Sequence, residues 1–219
     1  MSEASQVDLV ITGGTVVSPS GTRKVGIAVD AGKIVAVTDE RFLPPAKKTF
    51  DATGLHVIPG LVDTEAHPGC YSPLKDDIAP ESRAAVTAGV TTWGIHAPST
   101  RMGHPDFVEY VQKEDVGSFH ESFPYFEKII EEDSAVDVFA TYMLETDQQA
   151  EEIPEYAKEH GVTSYKLYLQ AMSPESEPDW PGRRAGLGAG FDDGVCWVTM
   201  ENVAALGRPG VVCMHCENW

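Results

Sequence analysis

Residues 55–69, LHVIPGLVDTEAHPG, constrain the fold of this chain more than any other stretch. Leu55, Val57, Ile58, Leu61 and Val62 read as a buried strand that runs into a polar tip, Asp63-Thr64-Glu65-Ala66-His67. In extended backbone, residues i and i+2 point to the same side. Glu65 and His67 therefore aim a carboxylate and an imidazole at one point just past an apolar strand. A hard or borderline divalent cation accepts both ligands. On two residues alone, a polar strand end facing solvent explains the pattern equally well.

The surrounding rhythm says what kind of sheet this strand enters. Residues 7–13 and 26–37 are short β runs separated by Gly-Gly and Ala-Gly turns, and 14–19 continue them. They predict a small antiparallel sheet, with 49–52 as a further extended piece. From Leu55 onward strands alternate with helices, the pattern of βα units around a parallel sheet. Strands are expected at 55–63, 90–96, 135–142, 162–169 and 210–214. Helices are expected at 78–88 (after Pro80), 121–132, 147–159 and 198–206. The expected division is residues 1–54, the small sheet, and 55–219, the βα portion. A Gly/Pro-rich excursion at 174–194 has the length of a functional or disordered loop.

Composition narrows the classes of partner. The chain has 219 residues, 42% of them hydrophobic, which suffices for a sizeable core. Its formal net charge of −18 argues against nucleic acid and anionic membrane surfaces as partners. No apolar run approaches the ~20 residues of a membrane span, and MSEASQVD lacks a signal pattern; the expected location is the cytoplasm. The four cysteines are expected to be reduced. Cys213 and Cys216 have zinc-knuckle spacing, but no second CxxC completes a structural site.

Three other strand ends carry chemistry. Lys166 lies inside the β-branched and aromatic run VTSYKLYL, where a lysine is costly unless paired, altered or snorkelling to solvent. His215 ends the apolar run VVCMH; alone, such a histidine is more often a hydrogen-bonded core residue than a ligand. His96 ends a third strand and is expected to touch substrate or to support the ligands. In a barrel of parallel strands, such C-terminal ends converge on one site.

Taken together, these segments resemble the cyclic amidohydrolases of the amidohydrolase superfamily: dihydropyrimidinase, hydantoinase, allantoinase and dihydroorotase. The carrying residues are DLVITGGTVV, GIAVDAGKIVAV, GLHVIPGLVDTEAHPG, AAVTAGVTTW, GVTSYKLYL and VVCMHCEN, in order and spaced over nearly the whole chain. The resemblance implies an α/β fold: a (β/α)8 TIM-type barrel, of which about five strands of eight are present here, preceded by part of a β-sandwich. It implies two divalent metals, zinc with manganese or iron as alternatives, bridged by a carboxylated lysine. By position, Lys166 would be that lysine. His67 would be the second histidine of the family's HxH pair, and His215 the next histidine ligand. As a carbamate, Lys166 would lose its positive charge and offer two oxygens to two cations.

Three departures stand out. The leading histidine of HxH is Glu65, still a competent ligand but one that adds negative charge and favours harder ions. The tyrosine that the family places five positions after the bridging lysine is Ala171; Tyr168, two residues beyond Lys166, is not its equivalent by position and is expected to contact substrate. The strand count stops at five, so the family's remaining histidine ligand and its general base are expected on a partner chain supplying strands six to eight. The expected activity is hydrolysis of a cyclic amide by a metal-activated hydroxide in a composite active site. The 174–194 loop would gate it, with Trp180 a substrate contact. Trp180, Phe191 and Trp197 would form an apolar wall, although core packing is the more ordinary fate of Trp197. The alternatives are a non-catalytic scaffold related to dihydropyrimidinase and a fragment of a full-length enzyme.

Overall fold

A computed structural model describes residues 6–69, 72–97, 117–144, 146–168 and 193–216. The chain divides into two compact units, Met1–Gly60 and Leu61–Trp219. Tyr168 is described as backbone only, and Trp180, Phe191 and Ala171 lie outside the described residues, as does nearly all of the 174–194 loop.

The first unit is built of short strands: β1 (Val7–Thr12), β2 (Thr15–Ser18), β3 (Gly21–Lys24), β4 (Gly26–Asp30), β5 (Lys33–Thr38), β6 (Ala46–Asp51) and β7 (His56–Val57). They form two sheets, ordered β5-β4-β1-β6 and β3-β2-β7. The hairpin β4–β5 pairs Asp30 with Lys33 around Ala31-Gly32, both at positive φ (47° and 74°), as a tight two-residue turn demands. The sheets are mixed, not purely antiparallel as expected, because β1 pairs β6 and β2 pairs β7 in parallel. Val7, Val10 and Ala28 form its small core, with Ala36, Leu43 and Ala46 packed on it.

The second unit is a curled parallel sheet ordered β12-β11-β10-β9-β8, so each strand pairs with its predecessor in sequence. The strands are β8 (Leu61–Ala66), β9 (Val90–Ala97), β10 (Asp137–Met143), β11 (Ser164–Tyr168) and β12 (Val211–His215). The helices are α1 (Leu74–Thr87), α2 (Phe123–Asp133), α3 (Asp147–Glu151), α4 (Ile153–Glu159) and α5 (Asp193–Leu206). α1 begins a turn before the expected start and carries Pro80 inside it. The predicted 147–159 helix is two, with Pro154 in the first turn of the second.

Period two along the strands sorts the side chains. Trp93, Ile95, Ala140, Tyr142, Tyr165 and Leu167 are buried together with helix residues Leu74, Ile78, Phe126, Ile153, Tyr156 and Val203. The intervening residues His96, Thr141 and Lys166 are also buried but polar. A core leucine or isoleucine of this kind contributes about 2–5 kcal/mol relative to alanine.

The opening stretch departs from expectation. Leu55, Ile58, Leu61 and Val62 are exposed rather than buried. The single strand expected over 55–63 is divided: His56–Val57 pairs β2, whereas Leu61–Ala66 pairs β9. Pro59-Gly60 separates them, and proline cannot donate a ladder hydrogen bond. β8 also ends the strand order of its sheet, so among the described residues it has one strand neighbour instead of two.

Candidate metal centre

Four strands deliver polar groups to one end of the parallel sheet. β8 supplies Glu65 and, one residue past its end, His67; β9 supplies His96; β11 supplies Lys166; β12 supplies His215. The β8–β9 register is interrupted between Asp63 and Ala66, the interval that holds Glu65. Such irregularities re-aim a side chain relative to plain alternation. The Asp63 carboxylate accepts from the Glu65 backbone N–H at 3.1 Å within this kink.

Gly94 makes the neighbouring approach possible. A Cβ there would stand 2.7 Å from the Thr64 carbonyl oxygen and 2.6 Å from Cζ of Phe139. Only glycine lets β8, β9 and the Phe139 ring come this close.

Glu65, His67 and His96 each offer a ligand atom, and these atoms lie within 4.8 Å of one another. The rings of His67 and His96 are 5.0 Å apart, tilted at 46°. Glu65 and His67 are exposed, while His96 is 1% exposed, and its buried Nδ1 has no hydrogen-bond partner among the described residues. Lys166, 5% exposed, donates from Nζ to Glu65 Oε1 at 3.0 Å. Glu65, Lys166, His215, Met214 and Cys216 line one open cleft of about 360 Å³.

Electrostatics tie these groups together. The hydrogen bond from Lys166 holds the Glu65 carboxyl below its ordinary value against opposing desolvation, and the charge of Lys166 adds to that. Burial foremost, then the positive charges of Lys166 and His67, push His96 down to about 4. His96 is thus a neutral imidazole, the form that binds metals. One carboxylate and two imidazoles form a donor set suited to zinc. Ligand atoms on a tetrahedral zinc stand about 3.3 Å apart, so the three would draw inward on binding. The donor chemistry and the unpartnered His96 Nδ1 both fit a cation here.

No protein-family model matches the chain. Among curated proteins, it is 30% identical over 218 residues to an allantoinase of Desulfitobacterium hafniense (strain Y51), covering 98% of this chain and 41% of that protein. An allantoinase of Escherichia coli (strain K12 / DH10B) is 29% identical over 216 residues, again at 41% of its length. Among solved structures, a D-hydantoinase superposes with a TM-score of 0.71 at 24% identity, covering 97% of this chain and 40% of the other. The L-hydantoinase (dihydropyrimidinase) from Arthrobacter aurescens does so at 0.72 and 22%, covering 97% and 41%.

This chain is similar to cyclic amidohydrolases over the N-terminal portion of their length.

The chain spans about two fifths of the length of the relatives it matches and aligns with their N-terminal portion. The hydantoinase likeness accounts for the fold of this chain: the N-terminal sheets and the five-stranded half-barrel. Glu65 meets His67 on one side and Lys166 on the other, and Glu65, Lys166 and His215 share the cleft. His96 sits among the ligand-type atoms instead of beyond them. Its period-two relation to Gly94 could have placed it on the same sheet face as Lys166, but not beside His67. Trp197 is 66% exposed on α5, so it is not part of the core. Cys213 and Cys216 are free thiols. No helix among the described residues is long and apolar enough to cross a membrane.

Proposed function

We propose that this chain forms the metal-binding half of a hydrolase that opens the ring C–N bond of a cyclic amide. The observation that carries the reading is the meeting of Lys166 with Glu65, beside His67 and His96, at the ends of parallel strands. Glu65, His67, His96, Lys166 and His215 would hold one or two divalent ions, zinc first and manganese or iron as alternatives. When bound, the ions supply a charge that polarises a ring carbonyl and lowers the pKa of water.

Lys166 has a definite part in this reading. As an ammonium it neutralises Glu65; carboxylated on Nζ, it becomes an anion facing another anion at hydrogen-bond distance. That arrangement is repulsive unless a cation lies between them. Carboxylation of Lys166 and metal loading are therefore coupled. His96, kept neutral by burial, orients beside His67 without repelling a cation. Tyr168 and Trp180 remain proposals as substrate contacts.

The parallel sheet has β8 and β12 at the two ends of its strand order, each with a row of backbone groups unpaired within the described residues. Further strands completing the barrel, and with them the general base, would come from a second subunit or from further residues of a longer polypeptide. The intact mass of the native protein and of whatever co-purifies with it separates these two sources.

A second reading, a non-catalytic scaffold, is favoured by one observation. The Lys166–Glu65 pair already balances its own charge with no cation. Metal analysis of the natively purified protein, together with ring opening of allantoin and hydantoin, tests both. Metal near two equivalents per assembled site with turnover supports the hydrolase. Metal-free protein without turnover, even after reconstitution with zinc or manganese, supports the scaffold.

A further inference from the structure

Away from the strand ends, a second cluster of ligand-type groups joins segments forty residues apart. His120 lies just before α2, Glu159 is the last residue of α4, and His160 caps that helix. His120 Nδ1 is 2.9 Å from His160 Nε2 and 3.7 Å from Glu159 Oε2, and all three ligand atoms fall within 4.8 Å of one another. We propose that His120, Glu159 and His160 form a second divalent-metal site, a three-coordinate zinc seat with an open fourth position, separate from the centre at the strand ends.

The spacing supports a shared ion. Tetrahedral zinc holds neighbouring ligand atoms about 3.3 Å apart, between the two distances seen here. Two imidazole nitrogens and one carboxylate oxygen are a common zinc donor set. The His160 ring is also held as a ligand ring must be. Its Nδ1 is 3.1 Å from the Tyr142 hydroxyl, and its face stacks on Phe123 at 4.1 Å with 3° between planes. In the tautomer with its proton on Nδ1, that proton goes to the Tyr142 oxygen and Nε2 presents a lone pair toward His120. An outer partner on the far nitrogen is the usual device for orienting a metal-binding histidine.

His120 is positioned by neighbours from two helices. The Tyr156 hydroxyl accepts from the Phe119 backbone N–H at 3.0 Å, and Gln149 Nε2 donates to the Gly117 carbonyl at 2.8 Å. Ser118 Oγ accepts from the His120 backbone N–H at 3.2 Å. The segment thus meets α4 with its imidazole already facing His160, so little ordering remains for an ion to impose.

The competing arrangement is a hydrogen-bonded His120–His160 pair with Glu159 beside a protonated His120, binding nothing. Titration of the metal-stripped full chain with Zn²⁺, and with Co²⁺ as a spectroscopic probe, separates the two. Zinc should bind and raise the melting temperature in the wild type and in Glu65→Gln. In His120→Asn the same site should weaken at least tenfold and its tetrahedral Co²⁺ absorption should vanish. Tyr142→Phe, which removes only the outer oxygen, should weaken it about tenfold. Glu159→Gln, at a side chain 55% exposed, serves should His120→Asn not fold. Unchanged zinc affinity and Co²⁺ spectrum in folded His120→Asn or Glu159→Gln would overturn the proposal, as would a wild type that binds no zinc beyond what Glu65→Gln and His67→Asn abolish.

Discussion

Lys166 reaches Glu65 across 101 positions of sequence, with Nζ 3.0 Å from Oε1, and the two exposures are unequal: 5% for the lysine side chain and 54% for the carboxylate. The buried partner depends on the exposed one. Removing Glu65 takes the carboxylate away from a lysine in a nearly dry site, whereas removing Lys166 leaves a carboxylate that water can reach.

Glu65→Gln should accordingly destabilise the metal-free chain more than Lys166→Met does. The loss should be about 1–2 kcal/mol, below that of a fully buried pair because Glu65 is solvated. Urea denaturation of both single variants and the double variant measures it. Equal losses in the two singles would show that the pair is held by solvent-exposed attraction alone. In metal titrations, Glu65→Gln should also weaken binding at the strand-end centre.

Gly94→Ala tests how tightly the strands beneath that centre are packed. The new methyl meets the Thr64 carbonyl, which is backbone and cannot rotate away, as well as the Phe139 ring. Strand displacement of this kind costs about 1–3 kcal/mol. Because Thr64 is next to Glu65, zinc affinity should fall along with stability. Chemical denaturation and metal titration on the same preparation read both effects.

Acid should loosen the helical side of the half-barrel through Glu152. Burial pushes its carboxyl up, but hydrogen bonds from Tyr156, Ser118 and Gln148 outweigh this and hold it below the ordinary value of 4.5. A group whose folded pKa is depressed contributes stability above its unfolded pKa, and that contribution is lost as pH falls through the folded value. Stability should therefore decline from about pH 4.5 downward. Glu152→Gln should be less stable than wild type at neutral pH, with a shallower decline in acid. Denaturation midpoints from pH 7 to pH 3 check the slope.

In the N-terminal unit, Ala31 occupies the left-handed region at φ 47° in the β4–β5 turn. A side chain with a Cβ and no local hydrogen bond is strained there by about 1–2 kcal/mol. The substitution Ala31→Asn creates the Asn-Gly pair that such hairpins favour. It should stabilise the unit by about 0.5–1 kcal/mol, measured as a rise in the urea midpoint.

Much of the fold was legible because it is written in local periodicity. The alternation of apolar strands and helices from Leu55 onward foretold a parallel half-barrel, and the Ala31-Gly32 turn marked the β4–β5 hairpin, whereas Gly13-Gly14 carries the chain from one sheet to the other. What local pattern missed was pairing at a distance. The parallel partners β6 and β7 lie tens of residues from β1 and β2, and nothing in their own residues announces the neighbour. Leu61 and Val62 look buried by composition, yet among the described residues β8 has a neighbouring strand on one side only, and both stay exposed.

Sequence alone determined which strand ends carry Glu65, His67, His96, Lys166 and His215, since strand alternation and ligand chemistry are both properties of residue order. Only tertiary structure decided that Lys166 donates to Glu65, that His96 turns in beside His67, and that His120 faces His160. The reason is that each of these contacts joins separate elements, and its geometry follows from register, a kink at residues 63–66 and the space that Gly94 leaves open.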